Sequence, residues 1–213
     1  MTRHDFGKDY WERRWTPAYG AGRPADSPAN PYIADETRHL SSGTALDAGC
    51  GMGAEAIWLA RNGWKVTGAD TSPTVLSMAA DYAREASVED RLSWVEADLT
   101  VWEPSERWDL VITNYAHPAI PQIEFYRRIA GWATPGGTVL IVGHLHDPSA
   151  AASRHPREAS ATLDEITNLF VGPAWEIETA RQESRLVTRP GGAIVALSDV
   201  VVRARRNEID EDH

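Results

Sequence analysis

From residue 44 onward the apolar positions fall into two alternating rhythms. Short apolar runs read as strands: "TALDAG" from Thr44, "WKVTGA" from Trp64, "LSWVEA" from Leu92, "WDLVITNY" from Trp108 and "GGTVLIVGH" from Gly136. Between them lie segments with helical spacing. One runs from Ala54 to Asn62 and stops at Gly63. A second, of roughly 14 residues, opens on Ser72 as N-cap and Pro73 in the first turn. Two more are expected over residues 119–133 and 158–170, and residues 31–42 also read as helical. Toward the end, "WEIETARQESRLV", the turn residues "RPGG" and "AIVALSDVVVRAR" predict a hairpin. Alternating strands and helices imply a doubly wound, mostly parallel sheet of seven strands, helices on both faces, closed by a C-terminal antiparallel hairpin.

Residues 1–43 depart from this rhythm. They are aromatic and charged, then rich in Pro and Gly ("TPAYGAGRPADSPANP"), as in a lid over a site. With no repeat and no low-complexity linker, residues 1–213 read as one domain: a lid and helical segment at 1–43, a core at 44–206 and a solvated tail at 207–213.

Composition narrows the function. The chain has 213 residues, 42% hydrophobic and 24% charged, as expected of a globular protein. No apolar run approaches a membrane span, and the N-terminus is too polar for a signal peptide. Cys50 is the lone cysteine, so a cytoplasmic setting is expected. A formal charge of −10 speaks against nucleic acid as partner, since the arginines are scattered. The expected partner is a small molecule, and oligomeric state is not legible.

The chemistry gathers at "DAGCGMG", where Gly49, Gly51 and Gly53 separate a strand from a helix. Such a loop lets a ligand approach the backbone at a helix N-terminus. "GCGMGA" also satisfies the dinucleotide pattern, with Asp70 placed for a ribose. Asp47, however, stands where a pyrophosphate would meet a carboxylate. A ligand with an ammonium or sulfonium group is favoured instead. Asp98 closes the third strand, so three successive strand ends carry an acid. That suits an amino acid, a ribose and a base without phosphates. A nicotinamide-dependent oxidoreductase is the alternative on the same loop.

"DAGCGMG", Asp70, Asp98 and "WDLVITNY" resemble the ordered motifs of class I S-adenosylmethionine-dependent methyltransferases over residues 44–145. "DYWERRW" with "NPYI" resembles the tellurite-resistance and thiopurine methyltransferase group. The resemblance implies a Rossmann-like fold and S-adenosyl-L-methionine as cofactor. It implies that Asp47 and the loop Gly49–Gly51–Gly53 hold the methionine end. Asp70 would hold the ribose, with Thr71 and Ser72 beside it, and Asp98 with Leu99 the adenine. Asn114 and Tyr115 would flank the methyl group. Tyr10, Trp11 and Trp15 are lid candidates, Tyr10 and Trp15 toward the cofactor and Trp11 toward the acceptor. A non-catalytic S-adenosylmethionine-binding protein is a further alternative.

Candidate bases are His117 after the fourth strand and His144 at the end of the fifth. Tyr115 and His146 complete the acceptor side, and no metal is assigned to His144, His146 and Asp147. No Asp–His pair is recognisable from spacing. The expected acceptor is therefore a soft nucleophile, a thiol or a heterocyclic nitrogen, which needs little help from a base.

Overall fold

The computed structural model describes residues 6–16, 28–145, 160–188 and 194–208. Chain order runs α1 (Lys8–Trp15), α2 (Pro31–Thr37), β1 (Thr44–Ala48), α3 (Ala54–Arg61), β2 (Lys65–Asp70), α4 (Pro73–Glu85), β3 (Leu92–Glu96), β4 (Trp108–Asn114), α5 (Gln122–Ala130), β5 (Ala133–His144), α6 (Leu163–Thr167), β6 (Trp175–Thr188) and β7 (Ile194–Arg206). The seven strands form one sheet in the order β3-β2-β1-β4-β5-β7-β6. The first five in that list run parallel, and β7 lies antiparallel to both β5 and β6. This is the Rossmann-like, mostly parallel sheet with its C-terminal antiparallel hairpin.

Two-residue alternation divides the strand side chains between two apolar layers. Leu46, Val111, Val139 and Ile141 pack with Phe125 and Ile129 of α5 on one face. Leu110, Ile112, Leu140 and Val142 pack with Ile57 and Leu59 of α3 on the other. Side chains such as Phe125 and Ile129 are fully buried. Each contributes about 1.5–3 kcal/mol relative to exposure. Ala45 and Asp47 point to the α3 face, which sets a carboxylate beneath the start of α3.

Local signals explain most element ends. Ser72 accepts a hydrogen bond from the Val75 amide at 3.2 Å and starts α4 with Pro73 in its first turn. Two predicted helices are shorter than expected. The segment 119–133 is helical only over Gln122–Ala130, because Pro121 is the N-cap and disfavours helical backbone at the residue before it. β5 then starts at Ala133, ahead of the two glycines where the apolar run begins. The segment 158–170 yields α6, entered by a capping box between Thr162 and Glu165, and a single 3₁₀ turn at Asn168–Phe170. Residues 158, 159 and the turn "RPGG" lie outside the described residues. The N-terminal lid and helical segment contains the helix α1.

α2 is tied to the hairpin by charge. Glu36 is buried and accepts from Thr179 at 2.8 Å and from Arg181, with Arg203 also in the cluster. Burial alone would raise its carboxyl pKa; the Arg181 hydrogen bond opposes this, and the net shift is downward. This anchor fixes Asn30, the N-cap of α2, near the sheet's C-terminal edge. Among the described residues no helix is long and apolar enough to cross a membrane.

Candidate functional site

β1 and β4 are neighbours, yet the chain leaves them in opposite directions, toward β2 and toward β5. Their carboxyl ends therefore frame a crevice at the point where strand order reverses, the usual ligand position in such sheets. A cavity of about 400 Å³ lies there, lined by the glycine loop, Asp70, Thr71, Asp98, Leu99, Asn114, Tyr115, His117 and residues of α1.

The loop is tight. Gly49 has φ +82°, and a Cβ there would fall inside van der Waals contact with the Ala116 side chain. Backbone amides of Gly49 and Cys50 donate to the Ala69 carbonyl at 2.8 and 3.1 Å, which holds the turn against β2. Asp70, at the end of β2, accepts from the Gly51 amide at 3.0 Å and the Ser72 amide at 3.0 Å. Burial raises its carboxyl pKa, and these amides work in the opposite direction.

Asp47 is 1% exposed and stands behind the loop rather than on the cavity wall. Its Oδ2 has no hydrogen-bond partner among the described residues. Burial, then the nearby Glu55 and Asp70 carboxylates, push its pKa well up, against the help of the Ala56 amide. Such a group favours a cation nearby. It also destabilises the ligand-free protein. A carboxyl whose folded pKa is raised holds its proton in the folded state after the unfolded chain has lost it, so stability falls as pH rises above the ordinary carboxylate range. Asp47→Asn should remove that slope and stabilise the ligand-free protein at neutral pH by about 1–3 kcal/mol, the usual cost of an unsatisfied buried group. Thermal melts at pH 5 and pH 8 check this; an unchanged pH slope would contradict it.

Glu55 and Asn30 belong to the site and escape sequence reasoning. Glu55, in the first turn of α3, lines the cavity and accepts through Oε1 from Asn114 Nδ2 at 2.8 Å and from the Asn30 amide at 3.1 Å. Asn30 Nδ2 donates to Asn114 Oδ1 at 3.0 Å. The only signal was weak: an acid in the first helical turn reads as dipole compensation.

Asp98 is exposed and lines the cavity beside Leu99, while its Oδ1 accepts from the Thr100 amide at 2.9 Å and hydroxyl at 2.7 Å. It thus caps a turn and borders the cavity together. Gly51 and Thr71 also line the wall; Gly53 and Ser72 do not, and support the loop and α4 from behind. Cys50 is buried, and burial with Asp47 and Asp70 pushes its thiol well up, which keeps it protonated.

α1 covers the opening. Trp11 and Trp15 both line the cavity, and the Trp15 ring lies over Gly51. Trp11 Nε1 donates to the His117 carbonyl at 3.2 Å. Glu12 accepts from the Thr74 hydroxyl at 2.7 Å, and Lys8 pairs with Glu96. Tyr10 does not reach the wall; it packs edge-on against Phe6 and Trp11.

The far wall is aromatic. Tyr115 has φ +53°, which turns the chain sharply after β4. Its ring stacks on His144 at 4.3 Å, His144 on His117 at 5.9 Å, and His117 faces Phe6 at 5.8 Å. His144 is therefore one layer behind the lining residues. His146 and Asp147 lie outside the described residues, and among those described no group of three His, Cys, Asp or Glu could hold a metal. Spacing along the chain reveals no Asp–His pair, yet the fold brings one together. His144 Nδ1 lies 3.5 Å from Asp199 Oδ1 on β7.

Residues 45–137 match the family described as "Methyltransferase domain". The trans-aconitate 2-methyltransferase of Streptomyces avermitilis is 29% identical over 130 residues, which is 57% of this chain and 47% of that protein. A probable thiol methyltransferase 2 of Arabidopsis thaliana is 32% identical over 143 residues, 62% of this chain and 60% of that protein. The chain thus spans about half the length of the curated relatives it matches. A solved structure concerned with the conversion of a disulfide bond into a thioacetal group during echinomycin biosynthesis superposes with a TM-score of 0.71 at 26% identity, covering 96% of this chain and 94% of that one.

Proposed function

We propose that the chain is a class I S-adenosylmethionine-dependent methyltransferase and that it transfers a methyl group to a small-molecule acceptor, a thiol or a heterocyclic nitrogen. The observation that carries the reading is convergence. The glycine loop, Asp70, Asp98 with Leu99, and Tyr115 with His117 come from four separate strand ends and line one cavity.

The residues present fit S-adenosylmethionine, which supplies an electrophilic methyl group on a positively charged sulfur. Glu55 lines the cavity with a carboxyl, and the buried Asp47 carboxyl behind it would ionise as a positively charged methionine end approaches. Asp70 would accept the ribose hydroxyls, with Thr71 beside it. Asp98 and Leu99 would border the adenine. Asn114 and Tyr115 would stand beside the methyl group. Phe6, Trp11, Tyr115 and His117 line the same cavity, and aromatic rings beside a cation can stabilise it. Methyl transfer is an in-line displacement that depends on alignment and exclusion of water. α1, latched by Glu12 and Lys8, provides that exclusion and so acts as the lid of the expected N-terminal segment, in one domain with the core.

Sulfur as acceptor atom draws support from two relatives whose described chemistry concerns a thiol and a disulfide. The charge of −10 argues against nucleic acid, and a buried, protonated lone thiol agrees with a cytoplasmic setting. The placement in the tellurite-resistance and thiopurine group rests on the "DYWERRW" motif alone.

Calorimetry with S-adenosylmethionine, S-adenosylhomocysteine and NAD tests the cofactor, and a panel of thiols, heterocycles, phenols, short RNA and peptides tests the acceptor. Binding of the first two ligands and turnover of small thiols or ring nitrogens is expected. NAD binding without S-adenosylmethionine binding would return the oxidoreductase reading. Binding without turnover on any acceptor would favour a non-catalytic protein.

A further inference from the structure

We propose that Asp199 is a positioning residue for His144, and that the pair serves as the general base for an acceptor that must lose a proton. This rests on the methyl-transfer reading above. Asp199 is 0% exposed, in a stretch of β7 whose neighbours Val200, Val201 and Val202 are also buried. A carboxylate in such surroundings costs far more than an apolar side chain of the same size unless it is paired. Antiparallel register sets it directly opposite His144, and its Oδ1 faces the Nδ1 of that ring at 3.5 Å. That distance is longer than a closed hydrogen bond, as is common for catalytic contacts before ligands tighten them.

The arrangement has a chemical direction. A carboxylate facing Nδ1 favours the tautomer with its proton there, which leaves Nε2 as the proton acceptor. The His144 ring is stacked on Tyr115 and lies beside His117, both on the cavity wall, and its side chain keeps 20% exposure. In the step, the acceptor's X–H bond breaks and its proton passes to Nε2 through one water at the Tyr115–His117 wall, since His144 lies one layer behind that wall. The acceptor's electron pair forms the new bond to the methyl carbon. The carbon–sulfur pair stays with the departing thioether. Asp199 offsets the positive charge that the ring gains, and the proton then leaves to solvent. Among the described residues, the titratable groups facing His144 include Tyr115 and His117 after β4 and Asp199 on β7.

The test compares wild type with Asp199→Asn, which keeps shape and removes charge. Nitrogen-15 imidazole spectra of the S-adenosylhomocysteine-loaded protein should show His144 as the Nδ1–H tautomer in wild type. In the variant that tautomer preference should be lost. kcat should fall roughly 10²–10⁴-fold, with KM little changed. His144→Gln, with Asp199 intact, should lower kcat to the same extent, which keeps the test open if the Asp199 variant folds poorly. An unchanged tautomer and an unchanged kcat, in protein that still binds S-adenosylhomocysteine, would overturn the Asp199–His144 pair and leave methyl transfer standing. Failure of wild type to bind the cofactor would instead overturn the methyl-transfer reading, and this proposal with it.

Discussion

Asp70→Ala should weaken S-adenosylhomocysteine binding by 10²–10⁴-fold. Under the proposed role, its carboxylate accepts two ribose hydroxyls. Each charge-assisted bond is worth about 1.5–3 kcal/mol, so the pair amounts to about 3–6 kcal/mol. The structure adds a second reason. The same carboxylate accepts from the amides of Gly51 and Ser72, so its removal also loosens the loop that would face the methionine end. Asp70→Asn keeps one oxygen acceptor for the loop, and should lose less affinity than the alanine variant. Titration calorimetry measures both. An alanine variant within threefold of wild type would exclude Asp70 from the cofactor site.

The second large effect is expected at Gly49. Alanine there must adopt φ near +82°, which costs roughly 1–2 kcal/mol. Its Cβ would also press on Ala116, with overpacking of the order of 1–3 kcal/mol. Gly49→Ala should therefore lower stability by about 2–5 kcal/mol and displace the segment carrying Tyr115 and His117. Ala116→Gly in the same chain should recover the contact part of the loss and none of the backbone strain. Denaturant melts of the single and double variants separate the two. Full stability of Gly49→Ala would mean that the loop has another accessible conformation.

Much of this site could be read from the residues because its acids and glycines sit at the ends of consecutive strands. Asp47, Asp70 and Asp98 follow apolar runs whose boundaries are visible, and the βα rhythm sends all those ends to one edge of the sheet. Asn30 and Glu55 were not legible, since each looks like an ordinary helix-start residue until Asn114 joins them. Asp199 was hidden for a topological reason. Reading the hairpin in chain order would put β6 beside β5, whereas β7 takes that place and brings Asp199 opposite His144. Tyr10 shows the limit of helical spacing: it shares the short α1 with Trp11 and Trp15, yet its ring is taken up by Phe6 and Trp11. The acceptor argument from limited base chemistry loses its premise once Asp199 is seen, and sulfur now rests on the likeness to relatives.

The position of β7 between β5 and β6 also governs the order of events during synthesis. Residues 175–188 leave the ribosome before 194–206, but among the described residues β6 pairs with β7 alone. The open edge of β5 must therefore wait, its amides and carbonyls unpaired, until residues 194–206 have emerged. A nascent chain paused before residue 194 would carry an exposed strand edge lined by Val139, Leu140, Ile141 and Val142, a template for pairing with other chains. Folding of the sheet and arrival of Asp199 at His144 are thereby the same late event.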